Sequence, residues 1–112
     1  MIEKITPHTA EAFLFSGRPN PRWKLNKAQQ RTWRQYWEEA PRGERQANRL
    51  PVLGYSGCLL QYDEHSYWII FNGCVSFYEK DKVTNKKDIN QQMEQWLLGT
   101  APGEVQKLTA NL

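Results

Sequence analysis

The sequence predicts an α+β domain: an antiparallel sheet, in the chain order β-α-β-β-β-α, with two helices packed on one face. Three observations predict it. The pair Asn72-Gly73 separates two apolar runs, Tyr67 to Phe71 and Cys74 to Glu79. Asn-Gly in that setting selects a type I′ hairpin, because both central residues of the turn need positive φ. Two polar caps, Asn26 and Asp88, each stand three residues before a glutamine, Gln29 and Gln91, and each opens a stretch with helical apolar spacing. Finally, the chain of 112 residues carries five Trp, five Tyr and four Phe. That is enough apolar surface for one core without metal or disulfide staples.

The elements follow in order. Ala10 to Phe15 reads as a short strand ending at Ser16-Gly17. The segment Arg18-Pro19-Asn20-Pro21 then reads as a stiff, extended strap, since each residue before a proline is excluded from the helical region. A helix starts after Asn26, and Trp33, Tyr36, Trp37 and Ala40 recur on one face. Pro41 and Gly43 end it. Residues 42 to 51 are polar and read as an exposed loop. After the bend at Gly54 and Gly57 come three strands: Cys58 to Tyr62, Tyr67 to Phe71, and Cys74 to Glu79. The Asn-Gly turn sets Phe71 opposite Cys74 and Tyr67 opposite Tyr78. Pairing Tyr62 with Tyr67 puts Cys58 opposite Phe71, so the two cysteines share a face roughly 10 Å apart, beyond disulfide reach. Residues 80 to 87 read as a charged loop. The second helix opens at Asp88, buries Ile89, Met93, Trp96 and Leu97, and stops at Gly99 and Pro102. One domain over residues 1–102 with a tail over 103–112 completes the expectation.

Net charge is +3, unevenly spread. All seven arginines lie between Arg18 and Arg49, a window with nine basic residues against Glu38, Glu39 and Glu44. Arginine there suits recognition of carboxylates and phosphates. No run reaches the roughly 20 apolar residues of a membrane span. The first residues lack the apolar block of a signal peptide, so the expected location is the cytoplasm, with Cys58 and Cys74 as reduced, buried thiols.

No catalytic set is legible. The only nucleophile–base combinations are Cys58 or Cys74 with His8 or His65, and both cysteines lie inside strands where a thiol is inert. Asp63-Glu64-His65 is a local triplet, short of the converging ligands a metal needs. No cofactor, metal or catalytic residue is therefore assigned. The candidate binding residues are Arg18, Pro19, Asn20, Pro21, Arg22 and Trp23 in the strap, with Arg31 and Arg34 on the first helix. Trp23 has two readings, a plug in the core or an exposed anchor. The two apolar sheet faces also demand a second cover, supplied by the strap, the tail, or a partner.

Three blocks recur together: Phe15 to Pro21 with Trp23 and Leu25, Leu53-Gly54-Tyr55 with Gly57, and Trp96-Leu97-Leu98 with Thr100. This order resembles a loose set of small uncharacterised proteins, over about residues 13 to 101. The resemblance implies one recurring domain and carries no activity with it.

The functional expectation is a small, non-enzymatic protein-interaction module using the Arg-Pro-Trp strap, with an immunity- or antitoxin-like inhibitor as one form. The expected partner is another protein or a second copy of the chain. The alternative is an RNA- or DNA-binding protein using the basic window 18–49. Inhibitors of nucleic-acid-cleaving toxins are expected to be acidic, to complement a basic target, and this chain is not.

Overall fold

A computed structural model describes residues 8–14, 20–47 and 55–109. The expected α+β class holds. The sheet has six antiparallel strands: β1 (Thr9–Ala12), β2 (Arg22–Lys24), β3 (Cys58–Gln61), β4 (Tyr67–Phe71), β5 (Cys74–Glu79) and β6 (Lys82–Lys87). Their spatial order is β2-β1-β3-β4-β5-β6. The helices are α1 (Lys27–Glu39), α2 (Gln92–Gly99) and α3 (Gly103–Thr109), with a 3-10 turn (Ile89–Gln91) before α2.

The hairpin formed by β4 and β5 matches its sequence signal. Asn72 and Gly73 have φ of 52° and 85°, and Phe71 pairs Cys74 while Tyr67 pairs Tyr78. The cap of α1 also matches: the Asn26 side chain accepts from the Gln29 amide at 2.8 Å, and the Gln29 side chain accepts from the Asn26 amide at 2.9 Å.

Two strands were not expected. Trp23 and its neighbours pair with β1, extending the sheet where a strap alone was foreseen. The charged segment before Asp88 is β6, paired along its length with β5 from Glu79↔Lys82 to Cys74↔Lys87. Its lysine-rich composition fits an outer strand, where charged side chains guard the edge. The backbone of residues 41–43 lies along that edge: Lys87 donates to the Pro41 carbonyl at 2.8 Å and Gly43 to the Asn85 carbonyl at 3.0 Å.

Register between β3 and β4 differs by one residue from the expectation. Gln61, not Tyr62, faces Tyr67, and Cys58 faces Ile70. A one-residue slip exchanges the two faces of a strand. Cys58 and Leu60 therefore join Trp68, Ile70 and Val75 in the main core under the helices. Leu59 turns to the opposite face with Ile69 and Cys74, so the two cysteines lie on opposite faces. The slip arises because Tyr62 belongs to the turn, its amide bonded to the Ser66 carbonyl at 2.9 Å. Gly57 fixes the entry to β3. Its φ is +111°, and a Cβ there would come within 2.7 Å of the Ile70 carbonyl oxygen.

The main core holds Trp23, Leu25, Trp33, Met93, Leu97, Ala101 and Val105 against the inner strand residues, so α3 contributes to the core through Val105. The opposite face is closed in part by Phe13 and Ala47. Ala47 corrects the expectation of a wholly exposed loop. Its amide donates to Ser76 Oγ at 2.8 Å, and its carbonyl accepts from the Tyr78 hydroxyl at 2.6 Å. Ser76 in turn donates to Asn85 Oδ1 at 2.7 Å. The remainder of that loop, 48–51, lies outside the described residues.

The second helix starts later than expected. Asp88 does cap it, but by accepting from the Met93 and Glu94 amides at 2.7 and 2.9 Å rather than by pairing with Gln91. Asn90 and Gln91 adopt left-handed conformations, φ 55° and 58°, which turn the chain so that Ile89 is exposed. Gly99 is the last helical residue, and Thr100 closes α2 in a right-handed conformation.

Candidate functional site

The strap region resolves into a clasp. Arg18 and Pro19 lie outside the described residues. Asn20 Oδ1 accepts from the Leu14 amide at 2.9 Å, and Asn20 Nδ2 donates to Glu11 at 3.0 Å. Arg22 Nε donates to the other oxygen of Glu11 at 3.2 Å. Pro21 accepts from the Ala12 amide at 3.2 Å. Alternation along β2 turns Trp23 to the core face, where it is only 6% exposed. Its Nε1 donates to Thr100 Oγ1 at 2.8 Å, and that hydroxyl donates to the Leu97 carbonyl at 2.6 Å. Of the two readings open to Trp23, the core plug is the one observed, and the exposed anchor is set aside. The clasp also joins the first and third of the three sequence blocks, through Trp23 and Thr100. A third contact set links Phe13 to the Ser56-Gly57 backbone at 2.9 Å.

Arg31 and Arg34 stand together on α1, and Lys27 joins them. The three recur at i, i+4 and i+7, all exposed, because Trp33, Tyr36 and Trp37 turn the opposite side of the helix to the core. None of the three is paired with a described carboxylate; the described ion pairs are Arg22–Glu11 and His65–Glu64. Arg22 is thus separated in role from Arg31 and Arg34, since its charge is already answered.

The sequence reading missed two neighbours of this face. His8 is held below its ordinary pKa, first by burial and then by the Arg34 charge, so at neutral pH its ring is an uncharged donor–acceptor beside a guanidinium. Tyr62 meets His8 edge-on at 6.0 Å and packs edge-on against Trp68 at 5.6 Å, yet is 39% exposed. Tyr62 had a readable signal: the last residue of an apolar run, where a strand gives way to an acidic turn.

The buried polar groups form a closed centre. Tyr55 donates its hydroxyl to Glu94 Oε2 and lies 3.5 Å from Cys58 Sγ. Glu94 Oε1 accepts from the Asn72 amide at 2.9 Å. Burial pushes the Cys58 thiol up to about 12, so it stays protonated and inert. Burial likewise raises Tyr55, Glu94 and Asp88. With each oxygen of Glu94 and of Asp88 engaged in a hydrogen bond, this centre ties the hairpin turn to α2. Cys74 is buried on the other face, and His65 sits on the surface beside Glu64 at 3.6 Å. No cysteine–histidine combination of the sequence reading comes together. No group of three or more His, Cys, Asp or Glu converges on a metal position among the described residues, and no described helix is long and apolar enough to cross a membrane.

Set beside protein-family models, curated proteins and solved structures, the chain finds no match.

Proposed function

We propose that this chain is a small, non-enzymatic interaction module whose helix α1 docks on an acidic surface of a partner protein. One observation carries the reading: Lys27, Arg31 and Arg34 form an exposed cationic row, outnumbering Glu38 on the same face, and none of the three is within ion-pair distance of a described carboxylate. Charges left unpaired on one rigid helix face favour a partner of opposite sign, which gains in encounter rate and register. The aromatic core beneath α1 holds that face in place, so little ordering entropy is lost on docking. Within the strap, Trp23 is committed to the core that α1 also covers.

A second reading has its own observation. Arg34, neutral His8 and half-exposed Tyr62 bring a cation, a hydrogen-bonding ring and a stacking ring to one end of the sheet, a combination that single-stranded nucleic acid uses.

The test is cross-linking capture from nuclease-treated lysate by the wild-type chain and by Arg31→Glu/Arg34→Glu. The expected result is a discrete protein captured by the first and lost with the second, at unchanged melting temperature. Identical capture by both removes α1 from the interface. Binding to bulk RNA that weakens linearly with the logarithm of salt, and is abolished in the variant, replaces the leading reading with the second.

A further inference from the structure

We infer that the groove between residues 41–45 and the turn into α2 is a binding site for a small phosphorylated ligand. It lies beyond the C-terminal end of α1, includes none of Lys27, Arg31 and Arg34 on its lining, and is independent of the reading above. The groove is half open to solvent and offers about 700 Å³, room for a small ligand. Arg42, Arg45 and Lys87 line it, all exposed and none paired with a described carboxylate. Glu44 is the one acidic side chain on the lining free to oppose them. The carboxylate of Asp88, also on the lining, is turned to the Met93 and Glu94 amides. Lys86 is likewise spoken for, its Nζ donating to the Trp37 carbonyl at 2.6 Å and lying 4.5 Å from that ring.

What distinguishes this cluster from ordinary surface charge is its mounting. The loop bearing Arg42 and Arg45 is fixed at both ends, to the β6 backbone through Pro41 and Gly43 and to buried Ser76 and Tyr78 through Ala47. A pinned loop keeps the two arginines at the same groove without ordering of its backbone on binding, and each guanidinium is a fork able to take phosphate oxygens bidentately. The opposite wall runs from Asp88 to Asn90. Asn90 on the lining and Gln91 just beyond it are successive non-glycine residues in the left-handed region, a conformation that persists only where its surroundings impose it and that gathers at ligand clamps. Between the walls, Gly73 places no side chain on the floor, and its φ of +85° resists acquiring one. The amides at the start of α2 are already capped by Asp88, so the anion would be held by the arginines and Lys87.

The probe is inorganic pyrophosphate, followed by backbone amide shifts at low ionic strength. Saturable shifts of Gly43, Gly73 and Asn90 are expected. Arg42→Ala/Arg45→Ala should weaken binding by about tenfold or more, as loss of charge-assisted pairs implies, whereas Arg31→Ala/Arg34→Ala should leave it unchanged. Lys87→Ala is the second variant, should the double substitution alter the loop. No saturation by about 10 mM, far weaker than a millimolar site, overturns the proposal. So do shifts that follow α1 instead of the groove, equal binding of citrate, which makes the groove a general anion sink, or tighter groove binding by an RNA oligonucleotide. Loss of the α1 interaction alone leaves pyrophosphate binding intact, so the two readings fail separately.

Discussion

The two faces of the one sheet are held by different physics. Under the helices, alternate strand residues bury Trp68, Ile70, Leu60 and Val75 against Trp33, Met93 and Leu97. Trp33 meets Trp68 edge-on at 5.5 Å and stacks near Trp96 at 6.3 Å. Two indole N–H groups there, on Trp33 and Trp68, are buried with no hydrogen-bond partner among the described residues. On the opposite face a smaller apolar cluster of Phe13, Ala47, Ile69 and Cys74 is supplemented by side-chain hydrogen bonds. There Ser76, Asn85, Tyr78 and the Ala47 backbone form one chain of donors and acceptors. The lesson is that one strand can supply nonspecific adhesion on one side and directional fastening on the other. Deletions should therefore be costly by different routes.

The largest effect should come from the helix face. Trp33 is 1% exposed, and Trp33→Ala should cost about 3–5 kcal/mol, read as a fall in the urea midpoint. A smaller loss would mean that the helices collapse into the void. Ser76→Ala leaves the buried Ala47 amide without its acceptor, at about 1–3 kcal/mol. Its signature should be faster hydrogen exchange at Ala47, with the Trp33 amide unaffected; matching changes at both sites would erase the contrast between the faces. Tyr78→Phe retains the stack on Tyr67 at 5.1 Å but loses the bond to the Ala47 carbonyl, for about 1 kcal/mol. The smallest effect is a slope with pH. Asp88 and Glu94 sit above their ordinary pKa values, chiefly through burial. The folded chain then holds their protons more tightly than the unfolded one. Their contribution is complete below the ordinary carboxylate pKa of about 4, and it declines as pH rises through the raised folded values. Glu94→Gln should flatten that decline in urea titrations run across the mildly acidic range. An unchanged slope would assign the effect to other groups.

The helix face was the more legible in the sequence, and the contrast explains why. Its signals are periodic: Trp33, Tyr36 and Trp37 at helical spacing, Trp68 and Ile70 at strand spacing, and caps or turns at Asn26 and Asn72. The opposite face is written in single hydrogen bonds, which leave no period. Nothing in the run from Arg42 marks Ala47 as buried, because its burial depends on a serine 29 residues away. The strand β6 was hidden for a related reason. An outer strand can be polar on both faces, so Lys82 to Lys87, with Val83 its only apolar residue, looks like solvent-exposed loop until a partner strand is known. The register slip at β3 turned on whether Tyr62 closed the strand or opened the turn, a choice of one residue that sent Cys58 to the other face. Of the site, the arginine window was legible as composition. Its division into paired Arg22, exposed Arg31 and Arg34, and loop-mounted Arg42 and Arg45 required three dimensions.

The bond between Trp23 and Thr100 spans 77 positions. A growing chain emerges from its N-terminus, at roughly 5–20 residues per second. The indole of Trp23 is therefore made several seconds before its acceptor exists. Throughout that interval the edge of the sheet carries a large aromatic group with no seat. Contacts so distant in sequence form slowly, and this one must wait until the last turn of α2 has been made. A nascent chain halted before Thr100 would display Trp23 outward, as a ready handle for chaperones that recognise exposed aromatic surface.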